Sequence, residues 1–141
     1  MIIFDTDHFM ILQVARGSSY DVLKSRIDAS LDQDFWTSII TFEEHMRGWL
    51  AEIRRARDVA DEVRPYDQLF NLLRFFQAWD ILRFDNYSAV RFERLRKQRI
   101  RIGTQDLKIA SIALENNALL LSANLRDFQQ VPGLRVENWL Q

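Results

Sequence analysis

The sequence predicts an α/β fold: a central, mainly parallel sheet of about four or five strands covered by helices, all in one domain over residues 1–141. Two observations carry this expectation. Short apolar runs alternate along the chain with longer stretches whose apolar residues recur at helical spacing, and that alternation implies parallel strands buried on both faces. No repeat, low-complexity tract or linker interrupts the pattern, and 141 residues suffice for one core.

The elements follow in order. Ile2 to Phe4 reads as a buried strand, and a helix-like segment runs on through Phe9 and Leu12. Leu23, Ile27 and Leu31 mark a second helix, entered at Ser18 or Ser19. "FWTSII" has the β-branched and aromatic character of a strand. Met46, Trp49, Leu50 and Ile53 then follow the spacing of an amphipathic helix. Another helix is expected beyond Pro65, carrying Leu69, Leu72, Leu73, Phe76 and Trp79. "DILRF" is a third strand, and a helix with Val90, Phe92 and Leu95 ends in the basic run "RLRKQRIRIG". "LKIASIAL" is apolar almost all round, so it forms a buried helix; "ALLLSA" and "LRVENW" supply the last strands.

Composition narrows the chemistry. The absence of cysteine excludes disulfides, thiolate metal sites and cysteine nucleophiles, and fits a reducing cytoplasm. No signal peptide or membrane-spanning run is visible. Nineteen basic against twenty acidic residues rule out binding of polyanions by bulk charge, so nucleic-acid contacts must come from local basic clusters. Arg47, Arg94, Arg96 and Lys97 belong to such clusters and are candidates for contacting nucleic-acid phosphates, although solvated helix faces are the simpler account of them.

The acids fall at particular places on this map. Asp5 ends the first strand; Glu44 follows "FWTSII"; Asp106 precedes the buried helix; Asn124 and Asp127 follow "ALLLSA". Right-handed crossovers bring the C-terminal ends of parallel strands to one edge, where open α/β sheets form their ligand sites. Carboxylates gathered there repel one another unless a divalent cation intervenes, and oxygen donors suit Mg²⁺ or Mn²⁺. Such an ion activates water and stabilises a phosphoryl group. A helix-capping reading competes. Thr41-Phe-Glu-Glu44 matches a capping box, Thr104 is placed to cap ahead of Asp106, Asn124 to cap ahead of Asp127, and Asp7 to cap the first helix. Only Asp5, at a strand end, is poorly explained as a cap.

At these residues the chain resembles PIN domains, and specifically VapC-type toxin ribonucleases of type II toxin–antitoxin systems. The resemblance spans almost the whole chain. It is carried by "IIFDTDHF", by "SIITFEEHMRG", which aligns the second acid with Glu44, and by "RIGTQDLKIASIALENNALLLSANLRDFQQVPGLRVENW". It implies a PIN-like three-layer α/β/α sandwich. It also implies a Mg²⁺- or Mn²⁺-dependent endoribonuclease that cuts cellular RNA, works as a homodimer and is neutralised by a small VapB-type antitoxin. Asp5, Glu44 and Asp106 inherit the metal-ligand role. Asp127 is ranked as the fourth carboxylate, with Asn124 as a further ligand or water positioner, and Thr6, Asp7 and Ser122 stand behind them.

Two other functions compete. A PIN-like module with a degenerate site would bind RNA or protein without cutting. The Asp5-Thr-Asp7 stretch also resembles haloacid-dehalogenase-like phosphatases, but Phe9 stands where that motif expects a small or β-branched residue, and a late Asp-Asp pair is missing. His8 and His45, the only histidines, form no zinc pair and are expected to be packed or solvent-facing. The aromatics of "LFNLLRFFQAW" exceed what one helix face holds, leaving part for a dimer or antitoxin contact.

Overall fold

A computed structural model describes all of residues 1–141. Its elements are β1 (Ile2–Phe4), α1 (Thr6–Val14), α2 (Ser18–Ala29), β2 (Phe35–Ser38), α3 (Ile39–Arg55), α4 (Val59–Gln77), β3 (Ile81–Leu82), α5 (Asn86–Lys97), α6 (Thr104–Glu115), β4 (Leu119–Leu121), α7 (Leu125–Phe128) and β5 (Arg135–Glu137). The five strands form one all-parallel sheet in the order β3-β2-β1-β4-β5.

The side-chain alternation of the two central strands builds the layers. Ile3 and Leu120 point into a core shared with Phe92 and Leu95 of α5, with the buried face of α6, and with Phe128. Ile2, Phe4 and Leu121 point the other way, toward Phe9, Leu23, Leu72, Phe76 and Trp139. Helices therefore cover both faces of the sheet. This is a three-layer α/β/α sandwich, as the resemblance implies.

Phe9 is fully buried at the centre of the second core, with ring centroids 4.6 Å from Phe76, 5.0 Å from Trp79 and 5.1 Å from Phe75. Emptying that position removes an aromatic ring from a close-packed cluster that has little room to collapse. Phe9→Ala should cost about 3–5 kcal/mol of unfolding free energy, measured by urea denaturation.

Several boundaries differ from the sequence reading, each for a local reason. Ile39 and Ile40 do not extend the strand. Ser38 Oγ accepts from the Thr41 N–H, caps α3 and turns the chain at once. Thr41 is therefore inside the helix, not its cap, and Glu44 lies in the second turn. Helix α4 starts six residues before Pro65, because Asp58 caps it through the Asp61 N–H; Pro65 is buried within the helix. Leu31 lies beyond the end of α2 and is fully exposed. Gly103 rather than Thr104 occupies the cap position of α6, and no side chain caps that end.

Candidate active site

The sheet order reverses between β1 and β4: from β1 the chain builds outward to β2 and β3, then returns to add β4 and β5 on the other side. Open α/β sheets bind ligands in the crevice at such a reversal. Phe4 pairs with Leu121, so Asp5 and Ser122 emerge side by side from neighbouring strands. The Asp5 N–H donates to the Leu121 carbonyl at 2.9 Å, and Ser122 Oγ donates to Asp5 Oδ2 at 2.7 Å.

Asp5 is only 5% exposed. Contrary to the sequence expectation it does cap a helix: it occupies the N-cap of α1, and its Oδ1 accepts from the Thr6 N–H at 2.7 Å. Asp7, expected as that cap, sits within the first turn instead. Its Oδ2 accepts from the Ala123 N–H at 2.8 Å, and its Oδ1 pairs with His8 Nδ1 at 2.6 Å. His8 is fully buried, and its Nε2 accepts the Trp139 N–H at 3.0 Å. With Nε2 an acceptor, the proton must lie on Nδ1, facing Asp7. Asp7 thus orients the β4 loop and is not free to act as the general acid of a phosphatase.

The other acids reach the crevice from separate helices. Thr6 Oγ1 donates to Glu44 Oε1 at 3.1 Å. Asn124 Nδ2 donates to Asp127 Oδ2 at 3.0 Å and to Asp106 Oδ2 at 3.2 Å, so a single amide holds two carboxylates together. Asn124 stands at the N-cap position of α7 without making a cap bond. Its side chain serves the acids instead.

The charges of these groups act on one another. Burial, then the Asp7 charge, lift the Asp5 carboxyl to about 7, and Asp106 adds to the push, against bonds from Ser122 and Thr6. Burial followed by the Asp106 and Glu43 charges raises Glu44, against the Thr6 bond. Burial followed by Asp127 and Asp7 raises Asp106, against the Asn124 bond. Burial pushes Asp7 up as well, but its bonds from His8 and the Ala123 N–H outweigh that and hold it below the usual carboxylate range. Asp5, Glu44, Asp106 and Asp127 therefore converge from four distant stretches of sequence.

Whether these residues suit a divalent cation turns on donor chemistry and charge. Every donor is oxygen, the set Mg²⁺ and Mn²⁺ prefer, and the burial and mutual repulsion that raise the carboxyls are a cost such an ion would relieve. The side chains are organised around hydrogen bonds rather than as a ready-made cage, and no three Asp, Glu or His groups meet at ligand distance.

His45, by contrast, is packed against Phe9 and Phe76, and burial lowers its pKa. The sequence reading had not connected Gly48 or Trp49 with this region; both line a cavity that shares Thr6 and Glu44 with the crevice. The signal was the bare Gly48 one turn beyond Glu44.

The fold and the crevice define a PIN-like α/β/α domain. The curated proteins it partly matches carry the name VapC. The chain is 42% identical to Ribonuclease VapC2 of Rickettsia felis over 53 residues, covering 38% of this chain and 39% of that protein. It is 30% identical to the tRNA(fMet)-specific endonuclease VapC of Salmonella typhimurium over 69 residues, covering 46% and 52%. The chain thus matches about half or less of the length of these curated relatives. Across the whole fold it superposes on a chain of VapBC2 from Rickettsia felis bound to a promoter DNA fragment, with TM-score 0.73, 23% identity and 99% of each chain covered. A chain of VapBC-1 from nontypeable Haemophilus influenzae gives TM-score 0.76 at 22% identity, with both chains fully covered. No family model matches the chain.

Proposed function

We propose that this protein is a Mg²⁺- or Mn²⁺-dependent endoribonuclease, the toxin of a toxin–antitoxin pair, silenced by a small VapB-type antitoxin. One observation carries the reading: acids from β1, α3, α6 and α7 share one crevice at the sheet reversal, and burial and mutual repulsion raise three of them. The VapC names of its relatives and the VapBC assemblies of its structural neighbours support it.

In this reading Asp5, Glu44, Asp106 and Asp127 would hold the cation, which would supply Lewis-acid stabilisation of the phosphoryl group and an activated water for hydrolysis. Thr6 and Ser122 orient Glu44 and Asp5 through the hydrogen bonds described above. Asn124 keeps Asp106 and Asp127 adjacent, where both would be placed to hold the ion. The Asp7–His8 pair fixes the loop that carries Ser122 and Asn124. Incubating purified protein with total RNA, with and without Mn²⁺, beside Asp5→Ala tests this. Mn²⁺-dependent fragmentation by the wild type alone is the expected result; identical lanes sink it.

A second reading, a PIN-like module that binds RNA or protein without cutting, draws on the lack of a preformed cage. Identical lanes would favour it.

The basic candidates divide. Arg47 pairs with Glu43 at 2.7 Å, and Arg96 pairs with Glu93 at 3.2 Å while lying over the Phe92 ring. Arg94 and Lys97, on the last turn of α5, have no carboxylate partner. Converting both to Gln should weaken RNA binding and flatten its logarithmic salt dependence by about 1–2 units, measured by filter binding across a salt series. For the partners, α4 leaves Val59, Val63, Tyr66, Phe70 and Leu73 exposed at helical spacing. That apolar stripe suits a second copy of the chain or the antitoxin. No helix is long and apolar enough to cross a membrane.

A further inference from the structure

A cavity of about 560 Å³ opens beside the acid crevice, between α1, α3 and α4. Helical spacing sets its walls. On α1, Thr6, Met10 and Gln13 lie on one face; on α3, Glu44, His45, Gly48, Trp49 and Glu52 do; Arg64 of α4 stands at its side. The volume falls within the range of small-molecule pockets, roughly 300–1,000 Å³.

Gly48 keeps this space open. It lies inside a helix, where glycine is less stable than alanine by roughly 0.5–1 kcal/mol, and a Cβ there would meet nothing within 4 Å. No backbone requirement explains it, because its φ is not positive. His45 contributes a second unexplained feature: its Nε2 is the one buried side-chain polar atom without a hydrogen-bond partner. Arg64 forms no ion pair. A neighbouring groove shares Met10, Gln13, Trp49 and Arg64 and runs on to Arg16, also without an acidic partner.

A partly buried indole, an amide offering donor and acceptor, and a free guanidinium make up the recognition chemistry of a nucleotide: one flat ring, its polar edge and a phosphate. We propose that this cavity is a nucleobase subsite. Trp49 stacks on the base next to the scissile phosphate, Gln13 addresses its edge, and Arg64 takes the adjoining phosphate. The assignment rests on the RNA-cleavage reading for its biological setting, since the cavity and the crevice share Thr6 and Glu44.

Gly48→Phe tests it, because the new ring fills open space without straining the helix; Gly48→Leu serves if the Phe variant does not fold. AMP, GMP, CMP and UMP are titrated separately into the wild-type protein while the Gly48 amide and Trp49 indole resonances are followed by NMR. At least one nucleotide should shift both saturably, and the filled variant should lose the response. In parallel, a randomised RNA pool is cut in Mn²⁺ and the new ends are sequenced. The wild type should show a base preference beside the cut, and the filled variant should lose it with about a tenfold fall in rate. Silence of both resonances with all four nucleotides, or a response that survives the filling, overturns the subsite. So does an unchanged base preference in a filled variant that an antitoxin no longer silences, which would make the occupant a protein side chain. If the wild type cuts nothing, the nuclease reading fails, while the nucleotide titration still decides the subsite.

Discussion

Asp5→Asn should lower the rate of RNA cleavage at saturating Mn²⁺ by about a thousandfold, measured as initial rates on a labelled RNA. The substitution keeps the size of the side chain, and its remaining carbonyl oxygen can still accept the Thr6 N–H. What it removes is the charge of the most buried acid in the crevice. A cation held by one fewer carboxylate binds more weakly and is less firmly oriented. Losing several kcal/mol of phosphoryl-charge stabilisation corresponds to about three powers of ten, since each 1.36 kcal/mol is about tenfold. A variant cutting within tenfold of the wild type would show that Asp5 does not hold the ion.

The same substitution should stabilise the protein. Burial and the Asp7 charge raise the Asp5 carboxyl from 3.8 to about 7, so the folded state binds a proton that the unfolded chain releases between those pH values. A raised carboxylate pKa makes stability fall as pH rises through that window, with the full penalty standing above about pH 7. Three pKa units correspond to about 4 kcal/mol. In EDTA at pH 8, Asp5→Asn should therefore melt about 10 °C above the wild type, and near pH 4 the two should coincide. Mn²⁺ should narrow the gap by raising the wild type more than the variant, by about 2.7 kcal/mol for the wild type at a hundred times its Kd. Melting curves at both pH values, with and without the ion, check each part. Equal melting temperatures at pH 8 in EDTA would mean that Asp5 carries no such penalty. A gap of the expected size gives the stability lost to the charge cluster and the function gained from it one source.

The parts of this arrangement that could be read from sequence are those fixed by a local pattern. The apolar run Ile2–Phe4, the buried "LKIASIAL" helix and the strand "ALLLSA" each carry their own periodicity, and the parallel sheet follows from their order. The convergence of Asp5, Glu44, Asp106 and Asp127 was legible because strand ends share an edge. Misreadings arose where two local signals conflicted. "SIIT" has strand composition, but the Ser38 hydroxyl caps a helix. Pro65 suggested a boundary, yet Asp58 and the acidic first turn of α4 had already begun the helix. Asp5 does not look like a cap in the sequence because no local signal marks a helix beginning at the very next residue. The His8–Trp139 contact joins residues far apart in the chain and leaves no trace in either one's neighbourhood.

That last contact gives the C-terminal segment a say in chemistry it never touches. The Trp139 amide selects one tautomer of His8; the tautomer commits Asp7; and Asp7 secures the loop bearing Ser122 and Asn124. The arrangement behaves as a strut: residues at the far end of the polypeptide brace the wall against which the acids are set. Loosening the strut would let the acids drift apart without altering any of them.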